Sequence, residues 1–183
     1  GEPGGSVRPA DLVMSFNVVI PARFASQRLP GKPLAEIAGE AMIVRVVRQV
    51  VRSGAKSVVV ATDDARVASA VRAAGFDAAM TRDDHASGSD RVMEVVQARA
   101  WRDDDIVINV QGDEPLIPPV VIDQLADGLA GRADVDVATL AEPFDPDTDP
   151  YDPNAVKVVC SERQRALYFS RAPIPFPREQ DGT

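Results

Sequence analysis

Short apolar runs alternate with longer amphipathic segments along most of the chain, and this alternation constrains the fold more than any other feature. Mainly apolar runs at 16–20, 57–61, 77–80 and 105–110 predict buried strands. The segments 41–54, 63–75 and 87–100 between them carry apolar residues at helical spacing. Such a repeat predicts right-handed crossovers and a mostly parallel sheet with helices on both faces. We therefore predict an α/β fold.

The predicted helices carry signals at their ends. Gly54 is expected to cap the first helix at its C-terminus. An aspartate is expected to cap the start of the second helix, Gly75 to follow its end, and Ser89 to cap the third. The residues expected to bury the first helix share one stripe: Ile43, Val46, Val47, Val50 and Val51.

The last part of the chain departs from this alternation. A further helix is expected near 118–130, and a strand at 136–141. Residues 142–154 are rich in proline and aspartate, which predicts a loop. Residues 155–160 and 166–176 then predict a hairpin that leaves the parallel sheet.

Composition excludes several classes of function. No run of about 18 to 20 apolar residues predicts a membrane helix, and the net charge of −8 argues against a general nucleic-acid binder. One cysteine and one histidine argue against a disulfide framework and a zinc site, and they suit a reducing cytoplasm. Residues 1–15 lack an apolar signal-peptide core and are interpreted as a disordered leader or tag remnant.

A loop with several cations follows the first predicted strand. In "NVVIPARFASQRLPGKPL" (17–34), Arg23, Arg28 and Lys32 lie on a chain stiffened by three prolines. Neither G-x-G-x-x-G nor G-x-x-x-x-G-K-[ST] is present, so the common dinucleotide and P-loop motifs do not apply. Because arginine and lysine both suit phosphate oxygens, a triphosphate-binding loop is favoured over a merely solvated one.

Two further segments lie where ligands bind in parallel sheets. "NVQGDEPLI" (109–117) places Asp113 directly after a buried strand, which suits either a Mg²⁺ ligand or an ordinary turn before a helix. "TRDDHASGSDR" (81–91) places a Ser-Gly pair at a helix start, whose N–H groups suit a base or an anion. His85 is not expected to act as a catalytic base.

Six segments together resemble one family. "IPARFASQRLPGKPL", "ATDD", "MTRDDHASGSDR", "NVQGDEPLI", "DPNAVKVV" and "ALYFSRAPIP" are similar, in this order, to 3-deoxy-manno-octulosonate (KDO) cytidylyltransferases. The resemblance implies a Rossmann-like nucleotide-diphospho-sugar transferase fold. It also implies Mg²⁺-dependent transfer of CMP from CTP to KDO with release of pyrophosphate, for lipopolysaccharide synthesis in Gram-negative bacteria. A cytoplasmic homodimer is implied, without nucleic-acid or membrane partners.

The resemblance also implies roles for individual residues. Arg23, Arg28 and Lys32 would hold the triphosphate, and Arg23 and Lys32 would act in catalysis together with Asp113, the Mg²⁺ ligand. The implied remainder of the nucleotide pocket is Pro21, Ala22, Arg82, Ser87 and Gly88. The implied contacts with the sugar are Gln111 and Arg171.

Family members extend beyond the position that corresponds to Thr183. Residues 16–183 are therefore expected to form a nucleotidyltransferase domain that lacks its C-terminal part, including a second metal-binding aspartate. Two alternatives stay open. The acceptor is a related acid sugar such as sialic acid or amino-KDO, or the chain is a non-catalytic nucleotide-binding domain.

Overall fold

A computed structural model of the chain describes residues 15–25, 30–145 and 148–176. They fall into two compact units, one ending at Ala138 and the other beginning at Thr139. The strands and helices in chain order are β1 (Phe16–Ala22), β2 (Glu36–Ile37), β3 (Glu40–Ala41), α1 (Met42–Val50), β4 (Ser57–Thr62), α2 (Ala65–Ala73), β5 (Asp77–Met80), α3 (Gly88–Ala98), β6 (Ile106–Asn109), α4 (Pro119–Leu129), β7 (Lys157–Cys160) and β8 (Ala166–Ser170).

Four strands of the first unit form a parallel sheet in the order β5-β4-β1-β6. The chain moves outward from β1 to β4 and β5, and then returns to place β6 on the other side of β1. The direction of winding therefore reverses between β1 and β6, and ligands of such sheets bind beyond the carboxyl ends of the strands at this switch point. The predicted parallel sheet is confirmed.

The strands bury both of their faces. In β1, Val18 and Ile20 pack in a core cluster with residues of α1, α2 and α4, whereas Val19 packs with Val95 of α3. This alternation follows from the two-residue period of a strand. It confirms the prediction of helices on both faces of the sheet.

The end of α1 differs from the prediction. Ile43, Val46, Val47 and Val50 are buried as expected, but Val51 is 44% exposed because the helix ends at Val50. Gly54 is not the cap: the cap is Val51 itself, and the N–H of Gly54 donates to a carboxylate oxygen of Asp123 at 2.8 Å.

Two other predictions were wrong. Ser87, not Ser89, caps α3, because its hydroxyl accepts the N–H of Asp90 while the Asp90 carboxylate accepts the N–H of Ser87, forming a capping box. Residues 136–141 form no strand: no described backbone pairs with them, and Val137 is 82% exposed. The sequence analysis also missed a 3-10 turn at Lys32–Leu34 and the short β2–β3 pair.

The second unit contains the predicted hairpin. Strands β7 and β8 pair antiparallel, with a register shift between Val159 and Cys160. Lys157 is 4% exposed, and its ammonium donates to the carbonyl oxygens of Asp152 and Arg171, both at 2.8 Å.

Among the described residues, no helix has the length and apolar character needed to cross a membrane.

Candidate functional site

A cavity of about 310 Å³ lies at the switch point, beyond the carboxyl ends of β1 and β6. Loops after these two strands, the 3-10 turn and the start of α3 form its walls. Seven residues predicted for the site line it: Pro21, Ala22, Arg23, Lys32, Gly88, Gln111 and Asp113. The structure therefore brings together residues that are far apart in the sequence.

The loop after β6 approaches the end of β1 closely at Gly112. A Cβ atom built there would lie 2.9 Å from the carbonyl oxygen of Pro21 and 3.4 Å from a methyl group of Ile43. Only glycine allows this approach without a backbone shift, because no other residue lacks the Cβ atom. The contact places Asp113, the next residue, beside the loop that follows β1.

Lys32 and Asp113 form an ion pair across the cavity. The lysine Nζ lies 2.6 Å from Asp113 Oδ2, and the two side chains are 38% and 46% exposed. An exposed pair of this kind contributes about 0–1 kcal/mol, so it is easily exchanged for other partners. The Lys32 ammonium is a donor suited to an anion, and the neighbouring Asp113 carboxylate is a ligand suited to a cation.

The base of the loop after β1 is held at Phe24. Its carbonyl oxygen accepts the N–H of Gly31 at 3.0 Å, and its own N–H donates to Asp63 at 3.4 Å. The guanidinium of Arg66 lies 3.7 Å from the centre of the Phe24 ring. These contacts fix both ends of the loop, while Arg28 falls within residues 26–29, outside the described residues.

Asp64 caps α2 beside this loop. Its carboxylate accepts from the Arg66 guanidinium at 2.7 Å and from the Arg66 N–H at 2.8 Å. The side-chain hydrogen bond from Arg66 is the largest cause that lowers the pKa of Asp64 from 3.8 to about 2. Asp64 is therefore ionised at neutral pH and keeps Arg66 over the ring.

Arg23 is anchored by the turn before α3. Its guanidinium donates to the carbonyl oxygen of His85. The ring Nε2 of His85 in turn donates to the carboxylate of Glu94 on α3, and this hydrogen bond is the largest cause that lowers the pKa of Glu94. Sequence analysis did not single out Glu94.

Arg82 does not line the switch-point cavity. Its guanidinium donates to the carboxylate of Asp84 at 2.8 and 3.0 Å, and it lines a second cavity of about 440 Å³ along α3 with His85 and Glu94. The hydrogen bond from Arg82 lowers the pKa of Asp84. Ser87, the cap of α3, precedes the cavity residue Gly88 and does not itself line the switch-point cavity.

A buried arginine that was not predicted joins the ends of two strands, β4 and β5. Arg91 is 0% exposed, and it donates to Asp63 at 3.0 Å and to the Thr81 hydroxyl at 2.5 Å, whereas its Nε has no partner in the described residues. A signal was available, because Arg91 and Val95 are four residues apart on α3 and therefore share its buried face. Arg91 holds Asp63 and, through it, the start of the Phe24 loop.

Arg171 belongs to the second unit. It is exposed, and its guanidinium donates to the carbonyl oxygen of Pro153 at 2.6 Å. Its own carbonyl oxygen accepts from the buried Lys157. The arginine is thus attached at both its backbone and its side chain to the loop and strand before it.

Comparisons with known proteins agree on one family. Residues 17–183 match the sequence profile of the family described as cytidylyltransferase. Over 167 residues, the chain is 54% identical to 3-deoxy-manno-octulosonate cytidylyltransferases of Serratia proteamaculans and Yersinia pestis. The match covers 91% of this chain and 67% and 66% of these relatives, so the chain spans about two thirds of their length.

Solved structures give the same result. The structure of a CMP:2-keto-3-deoxy-manno-octonic acid synthetase complexed with CTP superposes with a TM-score of 0.82 at 47% identity, covering 90% of this chain and 67% of the other. A cytidylyltransferase from Leptospira borgpetersenii, at 21% identity and a TM-score of 0.54, shares the fold over 65% of this chain and 51% of its own. The chain therefore belongs to the cytidylyltransferase family, and within it to the 3-deoxy-manno-octulosonate cytidylyltransferases.

Proposed function

We propose that the chain binds CTP in the switch-point cavity and transfers its CMP group to KDO, releasing pyrophosphate. The observation that carries the proposal is the pairing of Lys32 with Asp113 at 2.6 Å in that cavity. The pair supports the proposal because a cation that suits phosphate and a carboxylate that suits a metal ion meet beyond the carboxyl ends of neighbouring parallel strands. The 54% identity to KDO cytidylyltransferases gives the substrates by family.

The triphosphate is proposed to lie against Arg23 and Lys32. Both residues line the cavity, and the guanidinium of Arg23 donates a hydrogen bond to the carbonyl oxygen of His85. Arginine suits two phosphate oxygens at once, and lysine supplies a point charge. We keep Arg28 and Arg82 as further phosphate or nucleotide contacts, on the family resemblance alone.

The base is proposed to lie near Pro21, Ala22 and the start of α3. Pro21, Ala22 and Gly88 line the cavity, and a Cβ built at Gly88 would make ordinary van der Waals contact with the Pro21 ring at 3.6 Å. Gly88 also supplies an N–H group of a helix N-terminus, which suits a carbonyl or phosphate oxygen. The N–H of Ser87 donates to Asp90, so Ser87 is kept as a nucleotide contact on the family resemblance alone. On the family resemblance, the backbone of Pro21 and Ala22 is proposed to contact the base.

Asp113 is proposed to hold Mg²⁺. The site fits this ion, because Mg²⁺ is commonly bound by one or two carboxylates with substrate phosphates and water completing its shell. Among residues 15–25, 30–145 and 148–176, no three His, Cys, Asp or Glu side chains are grouped to hold a metal by themselves. That finding agrees with a Mg²⁺ ion that is held by the carboxylate of Asp113 together with the phosphates of the nucleotide. When bound, Mg²⁺ offsets negative charge on the phosphate oxygens.

The reaction needs positioning more than a covalent intermediate. A sugar hydroxyl oxygen forms a bond to the α-phosphorus while the bond from that phosphorus to the bridging oxygen breaks, so the electron pair leaves with pyrophosphate and the hydroxyl proton passes to solvent. Arg23 and Lys32 bind the phosphates and stabilise charge as it moves to the leaving oxygen. Their anchored positions limit the reorganisation required.

Gln111 and Arg171 are each proposed as a sugar-binding residue on the family resemblance. Gln111 lines the cavity, and its amide donates to the side-chain oxygen of Asn109 at 3.4 Å. The guanidinium of Arg171 is suited to a sugar carboxylate. A related acid sugar carries a carboxylate as well, and sialic acid and amino-KDO are therefore the alternative acceptors.

The setting is part of the proposal. The family resemblance favours a cytoplasmic homodimer that serves lipopolysaccharide synthesis in a Gram-negative bacterium. Sedimentation of the chain over a range of concentrations tests the dimer, which is expected to appear as twice the chain mass of 19.5 kDa. Sedimentation as a monomer throughout would contradict it.

Phosphorus NMR of a reaction mixture tests the transfer. Chain, CTP, Mg²⁺ and KDO should give a nucleotide-sugar phosphodiester signal and pyrophosphate in equal amounts, with less product from sialic acid or amino-KDO. More product from either of those sugars would reassign the acceptor. Tight CTP binding without product from any of them would favour the non-catalytic alternative.

A further inference from the structure

The second cavity, along α3, has one carboxylate that holds the turn before the helix at two points. The Glu94 carboxylate accepts the backbone N–H of Arg82, with Oε2 at 3.1 Å, and the ring Nε2–H of His85. The His85 side chain is 9% exposed and that of Glu94 is 30% exposed. The two ends of the segment 82–85 are thereby attached to one side chain.

This turn reaches the switch-point cavity through Arg23. The guanidinium of Arg23 donates to the carbonyl oxygen of His85, the residue whose ring Glu94 holds. Arg23 itself is exposed and follows the last residue of β1. A long exposed side chain loses rotamer freedom when it is ordered, so a fixed acceptor decides where its charge lies.

We propose that Glu94 is a positioning residue for Arg23: it fixes His85, whose carbonyl oxygen holds the Arg23 guanidinium at the switch-point cavity. The inference rests on the proposed function, in which Arg23 contacts the triphosphate of CTP. Glu94 does not line that cavity and acts only through the turn. The lowered pKa of Glu94 agrees with an ionised carboxylate at neutral pH.

A purely structural role for Glu94 gives a different expectation. If Glu94 only stabilised the fold, its removal would lower the unfolding temperature and would affect CTP binding equally with or without Arg23. If Glu94 acts through Arg23, its removal has no further effect once Arg23 is gone. A double-mutant cycle separates the two, because residues that share a partner are coupled and independent residues are additive.

The experiment is calorimetric titration of CTP with Mg²⁺ into the wild-type chain, Glu94→Ala, Arg23→Ala and the double variant. We expect Glu94→Ala to weaken CTP binding about tenfold in the wild-type background and less than about twofold in the Arg23→Ala background. Gln97→Ala is the matched control, because Gln97 is exposed on the same helix and lines the same second cavity. Its affinity for CTP should equal that of the wild type.

Each outcome decides the inference. Equal weakening in both backgrounds, or no weakening by Glu94→Ala, would overturn it. If thermal unfolding shows that Glu94→Ala is not folded, Glu94→Gln takes its place, because the amide oxygen keeps one of the two acceptors. We then expect CTP binding to weaken about threefold in the wild-type background and to stay unchanged in the Arg23→Ala background. Wild-type chain that fails to bind CTP would refute the proposed function itself, whereas binding with an additive cycle would refute only the role of Glu94.

Discussion

Replacing Gly112 by alanine should disturb the switch point directly. The new Cβ would lie 2.9 Å from the Pro21 carbonyl oxygen, 3.4 Å from an Ile43 methyl group and 3.5 Å from the Ala22 Cβ. The first of these is backbone of β1, the strand held between β4 and β6, so it has no rotamer by which to move away. Relief therefore requires the loop after β6 to shift, and Asp113 to shift with it.

The cost is that of overpacking a closed contact, about 1–3 kcal/mol. For a chain of this size, each kcal/mol lowers the unfolding temperature by about 2–4 °C, so a decrease of about 2–12 °C is expected. Gly128 is the matched control: it lies in α4 with nothing within 4 Å of a Cβ built there. Gly128→Ala should stabilise the chain by about 0.5–1 kcal/mol, because glycine disfavours a helix.

The assay is thermal unfolding of both variants beside the wild type, followed by CTP titration of the folded protein. Gly112→Ala should unfold earlier and bind CTP more weakly, whereas Gly128→Ala should unfold later with unchanged affinity. Unfolding of Gly112→Ala at or above the wild-type temperature with wild-type affinity would refute the reasoning. The close approach of the loop after β6 to the end of β1 would then not define the cavity.

Three further predictions concern single side chains. Asp113→Asn should leave the unfolding temperature nearly unchanged, because the ion pair of Asp113 with Lys32 is exposed. The variant should nevertheless release no pyrophosphate, and near wild-type release at ordinary Mg²⁺ would contradict the metal role of Asp113. Ser87→Ala should destabilise the chain by about 1 kcal/mol in urea unfolding through loss of the α3 cap, with Ser89→Ala nearly neutral; the reverse order would place the cap at Ser89. The pKa of Asp64 is lowered to about 2, so its contribution to stability is complete above about pH 5 and is lost as pH falls towards 2. Asp64→Asn should flatten that part of the acid unfolding curve, and an unchanged curve would count against the Arg66 contact.

The alternation of strands and helices was predictable because its signals are local. The strand at 77–80 has the predicted bounds, and the stripe from Ile43 to Val50 is buried, since burial of one helical face follows from periodicity alone. The predicted strand at 136–141 failed for the opposite reason. An apolar run becomes a strand only if a neighbouring strand pairs with it, and the local sequence does not reveal whether one is available.

The candidate site was predictable in part. Strand ends place Arg23 and Asp113 at one edge of a parallel sheet, so their proximity follows from the predicted topology. The side chains that hold them could not be found in the same way. Glu94 contacts the turn through a backbone N–H and a histidine ring, and Asp63 contacts Arg91 across 28 positions, so both depend on how α3 lies against the sheet.

The central claim is that CTP binds at the switch-point cavity between Lys32 and Asp113. Amide NMR spectra of the chain, titrated with CTP and Mg²⁺, test it most directly. We expect the largest shifts at Arg23, Lys32, Gly112 and Asp113, which line the switch-point cavity, and little change at Gln97 in the second cavity. Large shifts at Gln97 with unchanged Gly112 and Asp113 would contradict the account.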